Sequence, residues 1–328
     1  MSENKLYPMR LCSLEDTFNW GKEEFKLADL GYRDSLVNGG WLSANNLSEV
    51  METYMDRVVG DAVFSTYGRQ FPLQVKHIRC NGKMPLRVHP DDSTAENRYD
   101  ALGKEKFWYV LKAEKDAELV LGFNKNIDAS ILLSGIQDGS IEQHLNHTKV
   151  KTGDAFRIQP GLVHGAIGNP EIIEISQSSA LDFCVYPWGI ELDNDEFDSA
   201  LTIIDALDFI DYNTSHPSPL GRKKVGDHVF ELLNLPQFIV NRIELSESIK
   251  ISSEKVDSFA VYYVLYGKAR LKTETEGVGE VCYDIDTDSL ILVPAEVSEI
   301  IIEPVEKGTA LLEALGQTEN NTPDNEQK

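Results

Sequence analysis

From residue 72 onward the chain is a succession of short β-branched and aromatic runs cut by Gly, Pro and Asp, and that pattern occurs twice. Runs of this kind are Leu73–Ile78, Phe107–Leu111, Glu118–Phe123, Ala155–Ile158, Ile172–Ser176 and Phe183–Tyr186. They are too short for helices, and turn formers at this frequency indicate an antiparallel sandwich or barrel. The stretch from Tyr109-Val110-Leu111 to the segment Asp154–His164, with Pro160 inside it, has a second version. There Tyr263-Val264-Leu265 leads to Asp288–Ser298, with Pro294 inside it. In both, an Asp precedes a strand, a Pro follows six residues later, and a polar residue stands four beyond the Pro. The repeat predicts two copies of one jelly-roll module, with Asp154 matching Asp288 and His164 matching Ser298. At that position the first copy carries His and the second Ser, so any site is expected in the first.

Helices are additions to this frame. From Leu47, apolar residues recur as Val50, Met51, Tyr54, Met55, Val58 and Val59, a helical stripe read as core. Asn46 is its N-cap and Glu49 completes a capping box. Weaker helical stretches are expected at 129–136, 140–146 and 195–210, the last with Ala200, Ile203, Ile204, Leu207 and Ile210 on one face. The segment Asn213–Arg222 is rich in turn formers and marks a domain boundary. The expected organisation is an N-terminal domain over 1–212 with helical insertions, a C-terminal domain over 223–316, and a polar, acidic, disordered tail over 317–328.

Composition narrows the partners. Thirty-one basic residues against 54 acidic give a net charge of −23. Such a surface repels nucleic acid and anionic membranes, and an anionic substrate needs a locally basic pocket. No apolar run reaches membrane-spanning length. The opening Met1-Ser2-Glu3-Asn4-Lys5 lacks a secretion signal pattern. The four cysteines (Cys12, Cys80, Cys184, Cys282) are scattered, without a metal or disulfide spacing. A reduced, cytoplasmic protein is expected. Oligomeric state and partners are not legible.

Two histidines stand in suggestive contexts. His89 lies in Leu86-Arg87-Val88-His89-Pro90-Asp91-Asp92. His164 follows the Pro160-Gly161 turn and precedes Asn169. The second pattern is close to the second motif of the cupins, where a strand ends in a Pro-Gly turn and its neighbour opens with an inward His. One barrel can bring the two imidazoles together, and a metal needs such donors converging from several strands. Each His alone is more often a satisfied structural residue. His144 and His147 have helical spacing but suit a solvated helix face. His77, His216 and His228 have no partner pattern.

At these residues the chain resembles the type I mannose-6-phosphate isomerases, in their short bacterial form. The resemblance runs through Asn19-Trp20-Gly21, Leu30–Ser35, Phe71–Lys76, Val88–Asp92, Gly103-Lys104, Phe107-Trp108-Tyr109, Gly153–Phe156, Pro160–His164 and Tyr186-x-Trp188. It implies a mainly β fold of two cupin jelly-roll barrels with helices added to the N-terminal domain. It also implies a zinc-dependent interconversion of mannose 6-phosphate and fructose 6-phosphate through a cis-enediol. The cation there holds sugar oxygens and stabilises the developing oxyanion.

Carried over by resemblance, the site is altered. His89 and His164 match the family's two His ligands. The family's Gln ligand is Arg87 and its Glu ligand is Lys106. Glu105 is next door, but adjacent strand residues face opposite ways. Lys104 matches a lysine held to assist catalysis. The family's acid is Ala180 and its catalytic arginine is Cys184, with Asp182 a poor, shifted substitute for the acid. A unit positive charge 4 Å from a divalent ion, at an effective dielectric of 20, costs roughly 8 kcal/mol. Zinc is therefore expected to bind weakly or not at all, with no other cofactor. Arg87 and Lys106 are expected either to stand in for the ion and attract a sugar phosphate, or to pair with local carboxylates and fill the cavity. Three classes follow: a degenerate sugar-phosphate-binding or regulatory homologue, an isomerase with a rearranged zinc site, and a ligand-free structural or partner-binding cupin.

Overall fold

The computed structural model describes residues 4–189, 202–252, 257–275 and 279–318. It is mainly β, and the backbone groups into two compact units. The first β unit comprises Leu14–Phe25 and Gln74–Leu220. The second comprises the described parts of Met1–Ser13, Lys26–Leu73 and Gly221–Lys328. The expected division kept 1–212 together. In the structure the early segments, with the Leu47 helix, group with the C-terminal strands, and the later boundary falls between Leu220 and Gly221.

The first unit is built on two six-stranded sheets. One runs in the order Ala155–Ile158, Lys106–Lys112, Glu171–Gln177, Leu73–Cys80, Gly21–Leu27, Leu14–Phe18. The other runs Leu145–Lys149, Glu118–Phe123, His164–Gly168, Leu86–Val88, Phe183–Tyr186, with Gly82–Lys83 beside His164–Gly168. Apolar clusters fill its ends. One holds Trp20, Trp108, Phe156 and Leu121, and another holds Phe123, Phe183, Leu132 and Ile210. The second unit has an eight-stranded and a four-stranded sheet, and both contribute to a core that includes Ile243, Tyr262, Leu271, Ile300 and Leu311. Every strand pairing with a recorded register is antiparallel, as the turn-rich runs predict. No helix among the described residues is long and apolar enough to cross a membrane.

The repeat is present, with a one-residue correction. In the first unit the Gly153 N–H donates to Val110 O, and the Val110 N–H donates to Asp154 O. In the second the Asp288 N–H donates to Val264 O, and the Val264 N–H donates to Ser289 O. Asp288 (φ 68°) therefore matches Gly153 (φ 93°), and Ser289 matches Asp154. By the same register Glu299, not Ser298, opens its strand where His164 opens its own.

The two interiors also share a motif that the sequence comparison missed. Trp108 lies opposite Glu174 in the next strand, and its indole N–H donates to Glu174 Oε2 at 2.7 Å. Lys76, one strand further, reaches Glu174 Oε1 at 3.2 Å. In the second unit Tyr262 lies opposite Glu313 and donates to Oε1 at 2.9 Å. Asn241, opposite Glu313 on the other side, donates to Oε2 at 2.8 Å. One copy thus buries an ion pair where the other buries a neutral amide.

Elsewhere the local readings need correction. The Leu47 stripe is two short helices, Leu47–Tyr54 and Asp56–Val59, and a third, Asp61–Tyr67, follows it. Asn46 does cap the first, its N–H donating to Glu49 Oε2 at 2.8 Å. The stripe is interrupted at Met55 (φ 49°), and the chain leaves the helix again after Val59, where the carbonyls of Arg57 and Val58 accept from the N–H groups of Glu296 and Ala295. Gly60 (φ 92°) then turns the chain where a Cβ would lie 2.4 Å from Asp257 O. The 129–136 helix is Ala129–Asp138. The 140–146 stretch is a 3-10 turn, Ser140–His144, followed by strand Leu145–Lys149, so His144 and His147 share no helix face. Of the 195–210 helix, residues 190–201 lie outside the described residues and the helix seen is Ile203–Ala206. Gln317 and Thr318, assigned to a disordered tail, are buried, and 319–328 lie outside the described residues.

The two glutamates generate opposite expectations. Burial pushes the Glu313 carboxyl above its ordinary pKa, and the hydrogen bonds from Asn241 and Tyr262 offset this only in part. Ionisation of Glu313 therefore opposes folding once pH passes the unfolded value near 4.3. Burial also raises Glu174, but Lys106 and Lys76 outweigh it and hold the group below its ordinary range. Its contribution is present above the unfolded value and is lost as pH falls through the folded one. In urea unfolding, Glu313→Gln is expected to cost under about 1.5 kcal/mol at pH 4 and to improve relative to wild type by pH 7. Glu174→Gln is expected to cost about 3–5 kcal/mol at pH 7, because it leaves buried cations uncompensated, and its deficit shrinks in acid. Equal costs with the same pH trend would remove the distinction between the two copies.

Candidate functional site

Strand alternation sends one row of side chains from each sheet of the first unit toward the other. On the first sheet Lys106 lies opposite Ser176, and Trp108 opposite Glu174. On the second sheet Arg87 lies between His164 and Cys184, one on each side. His89 follows two residues after Arg87 and is held from behind, because the Gly161 N–H of the Pro-Gly turn donates to its carbonyl at 2.9 Å. The turn that launches His164 is thereby docked on the segment that carries His89, and the rings lie 5.1 Å apart between centroids. Gly103 packs against the same segment. Its N–H donates to Asp92 Oδ1 at 3.0 Å, and a Cβ would lie 2.3 Å from Asp92 N. The Lys104 N–H then donates to Pro90 O at 3.1 Å. That contact is a physical reason for His-Pro-Asp-Asp and Gly-Lys to occur together.

Between the sheets lies a chain of buried charges. Arg87 Nη1 pairs with Glu23 Oε1 at 2.6 Å, and Lys76 Nζ with Glu23 Oε2 at 3.1 Å. Lys76 continues to Glu174 at 3.2 Å, and Glu174 lies 3.6 Å from Lys106 Nζ. Lys106 Nζ pairs with Asp182 Oδ1 at 2.8 Å, and Lys104 Nζ with Asp182 Oδ2 at 2.5 Å. Four cations (Lys76, Arg87, Lys104, Lys106) therefore alternate with three carboxylates (Glu23, Glu174, Asp182). Buried charges persist only when paired in this way. Burial alone would raise Glu23 and Asp182. Arg87 and Lys76 outweigh it at Glu23, and Lys104 and Lys106 hold Asp182 well below its ordinary range. Burial lowers Lys104 to about 8 despite Asp182.

The histidines are neutral. Burial, reinforced by Lys106, lowers His164 to about 3 and His89 well below its ordinary value. His164 Nδ1 lies 2.9 Å from Leu162 O. A carbonyl only accepts, so Nδ1 carries the proton and Nε2 offers a lone pair. Lys106 Nζ takes that lone pair at 3.2 Å. Neither ring nitrogen of His89 has a partner, although the residue is fully buried.

The donor set does not fit a zinc ion. Two neutral imidazoles suit one, but the lone pair of His164 is already engaged by an ammonium group. That ammonium, on Lys106, stands where the resemblance implies a Glu ligand, and the Arg87 guanidinium stands where it implies a Gln ligand. Glu105 does not rescue the set. It points away, to Arg157 Nη2 at 2.5 Å and Nε at 3.0 Å.

The sequence-derived residues are thus brought together, with changed company. His89, His164, Lys104 and Lys106 converge. Arg87 is committed to Glu23, with its guanidinium 5.5 Å from the Trp20 ring, so the cavity-filling alternative describes it better than a phosphate contact. Ala180 is exposed and Cys184 is half-buried across from Arg87. Asp182, discounted in the sequence, is the acid that bridges both lysines. Glu23, Lys76 and Glu174 were missed. A signal was present at Glu174, a charge inside the otherwise apolar run Ile172–Ile175, whereas Lys76 stands in a mixed run with Gln74 and His77.

No family model matches the sequence. Among curated proteins, it is 26% identical over 277 residues to the mannose-6-phosphate isomerase ManA of Bacillus subtilis, covering 82% of each chain. It is 28% identical over 207 residues to the mannose-6-phosphate isomerase of Streptococcus mutans, covering 63% of this chain and 64% of that one. Among solved structures, the mannose 6-phosphate isomerase of Bacillus subtilis superposes with a TM-score of 0.80 at 19% identity, over 94% of this chain and 99% of that one. The apo form of the Salmonella typhimurium enzyme gives 0.69 at 12% identity, over 95% and 100%. The structural matches establish the cupin-like fold. Sequence relatives and structural neighbours named mannose-6-phosphate isomerase support the resemblance of the chain to the type I form of that family.

Proposed function

We propose that the chain is a type I mannose-6-phosphate isomerase homologue that does not isomerise sugars and works without a metal, as a sugar-phosphate-binding or regulatory protein. The observation that carries the reading is the contact between Lys106 Nζ and His164 Nε2. A tethered ammonium occupies the coordination position of an imidazole that is otherwise prepared for a metal: neutral, buried and held in the right tautomer. Expelling it means breaking its pairing with Asp182 and seating a divalent ion beside Lys104. Each like charge at close range opposes that by several kcal/mol.

The same cations support binding of an anion. The buried layer carries one more cation than carboxylate while both histidines stay neutral. In a chain of net charge −23 this interior is the place where an anionic ligand is favoured. Proton shuttling between sugar carbons needs a free acid or base near the substrate. Here Asp182 is held ionised by two lysines, and the arginine that the family resemblance implies is Cys184. These features support binding over turnover. Lys104, with its lowered pKa, contributes to the seat rather than to a shuttle in this reading.

Two outcomes test the proposal. Protein purified without chelator is expected to hold far less than one equivalent of transition metal and to show no conversion of mannose 6-phosphate to fructose 6-phosphate. Calorimetry with either sugar phosphate is expected to give saturable heat. Stoichiometric zinc with chelator-sensitive isomerase activity would establish the rearranged-site alternative, and no heat at millimolar ligand would favour a ligand-free cupin. Separately, the double substitution Arg87→Gln with Lys106→Glu is expected to raise zinc affinity at least 100-fold and make the melting temperature zinc-dependent. Unchanged zinc affinity would show that the two cations are not what excludes the ion.

A further inference from the structure

Every cation in the buried layer already has a carboxylate, so an arriving anion must displace one of three. Glu23 and Glu174 are sealed, with side chains 5% and 1% exposed. Asp182 is 14% exposed and lies on the connection between strands Glu171–Gln177 and Phe183–Tyr186. Its two oxygens go to different lysines, Oδ1 to Lys106 at 2.8 Å and Oδ2 to Lys104 at 2.5 Å. A carboxylate is thus the group that these two ammonium ions are spaced to hold, and Asp182 is the carboxylate best placed to leave.

His89 supplies a second, independent requirement. It is fully buried and both ring nitrogens lack partners. A neutral imidazole presents one N–H and one lone pair, and a buried polar group left in that state costs about 1–3 kcal/mol. A hydroxyl answers either need, as it donates and accepts. The His89 ring lies 5.1 Å from that of His164, whose Nε2 is 3.2 Å from Lys106 Nζ, so His89 borders the seat. A ligand that spans the seat therefore carries an anionic group and a hydroxyl close together.

We propose that Lys104 and Lys106 form a gated seat for a carboxylate with a hydroxyl on the neighbouring carbon, that Asp182 is its resident stand-in, and that His89 receives the hydroxyl. The ligand class is a sugar acid of the aldonate type. This deepens the sugar-phosphate reading, on which it rests for the remainder of the ligand, by placing an acid group at the end of the sugar that a metal would otherwise hold.

The test is calorimetry at constant ionic strength with gluconate, acetate and sorbitol on wild type, Asp182→Asn and Lys104→Met. Gluconate is expected to bind Asp182→Asn at least tenfold tighter than wild type and Lys104→Met at least tenfold weaker. Acetate, lacking the hydroxyl, is expected to bind at least tenfold more weakly than gluconate, and sorbitol, lacking the anion, to give no heat. Equal gluconate affinity in wild type and Asp182→Asn would overturn the gate. Because Asp182→Asn leaves Lys104 without its carboxylate and Lys106 with Glu174 alone, and can fail to fold, wild-type crystals soaked in gluconate provide the second measurement. Asp182 turned away, with a gluconate carboxylate between Lys104 and Lys106, is expected; Asp182 retaining both lysines while gluconate is absent or elsewhere overturns the proposal. Gluconate binding without mannose 6-phosphate binding would sink the sugar-phosphate reading and leave the gate intact.

Discussion

A buried ammonium must be paired, and in the first β unit that requirement organises the whole interior. Lys106 has His164, Asp182 and Glu174 around it. Each of those partners is fixed by a further contact: His164 through Leu162 O, Asp182 through Lys104, and Glu174 through Lys76 and Trp108. Glu23 and Arg87 close the line at its far end. Removing one member leaves an opposite charge without compensation, which costs more than the pairing itself contributes. The layer therefore behaves as a unit, and its chemistry is that of a filled site.

The second β unit shows what the same frame looks like without that demand. Tyr262, Glu313 and Asn241 repeat the arrangement of Trp108, Glu174 and Lys76 with neutral donors. The carboxyl there has no cation beside it, and burial favours its protonated form. Two copies of one module have thus settled a buried glutamate in two ways. The copy that kept its charges is the one that carries the paired imidazoles.

Much of this was legible in the chain. Apolar runs and turn residues located six strands of the first unit to within a residue or two, because those signals are local, while Leu14–Phe18, Gly21–Leu27 and Leu145–Lys149 were not read as strands. The convergence of His89 and His164 followed from the Pro160-Gly161 turn and the segment around His89. The side on which Glu105 would face followed from strand alternation alone. What was not legible depended on pairing between distant strands. Asp182 was discounted because its position was judged along the sequence, whereas its reach depends on the loop that precedes Phe183–Tyr186. The Leu47 stripe was read as one helix because its apolar spacing runs on through Met55, whose positive φ of 49° separates Leu47–Tyr54 from Asp56–Val59. The repeat was aligned one residue off because the shared Asp looked like the anchor, whereas the backbone hydrogen bonds match Asp288 to Gly153.

The central claim is that a lysine ammonium, rather than a divalent ion, completes the coordination of His164. Crystals grown in millimolar zinc, with data collected on either side of the zinc absorption edge, test it most directly. The account predicts no anomalous peak between His89 and His164, with Lys106 Nζ still within hydrogen-bonding distance of Nε2. A fully occupied peak there, with Lys106 turned aside, would contradict it.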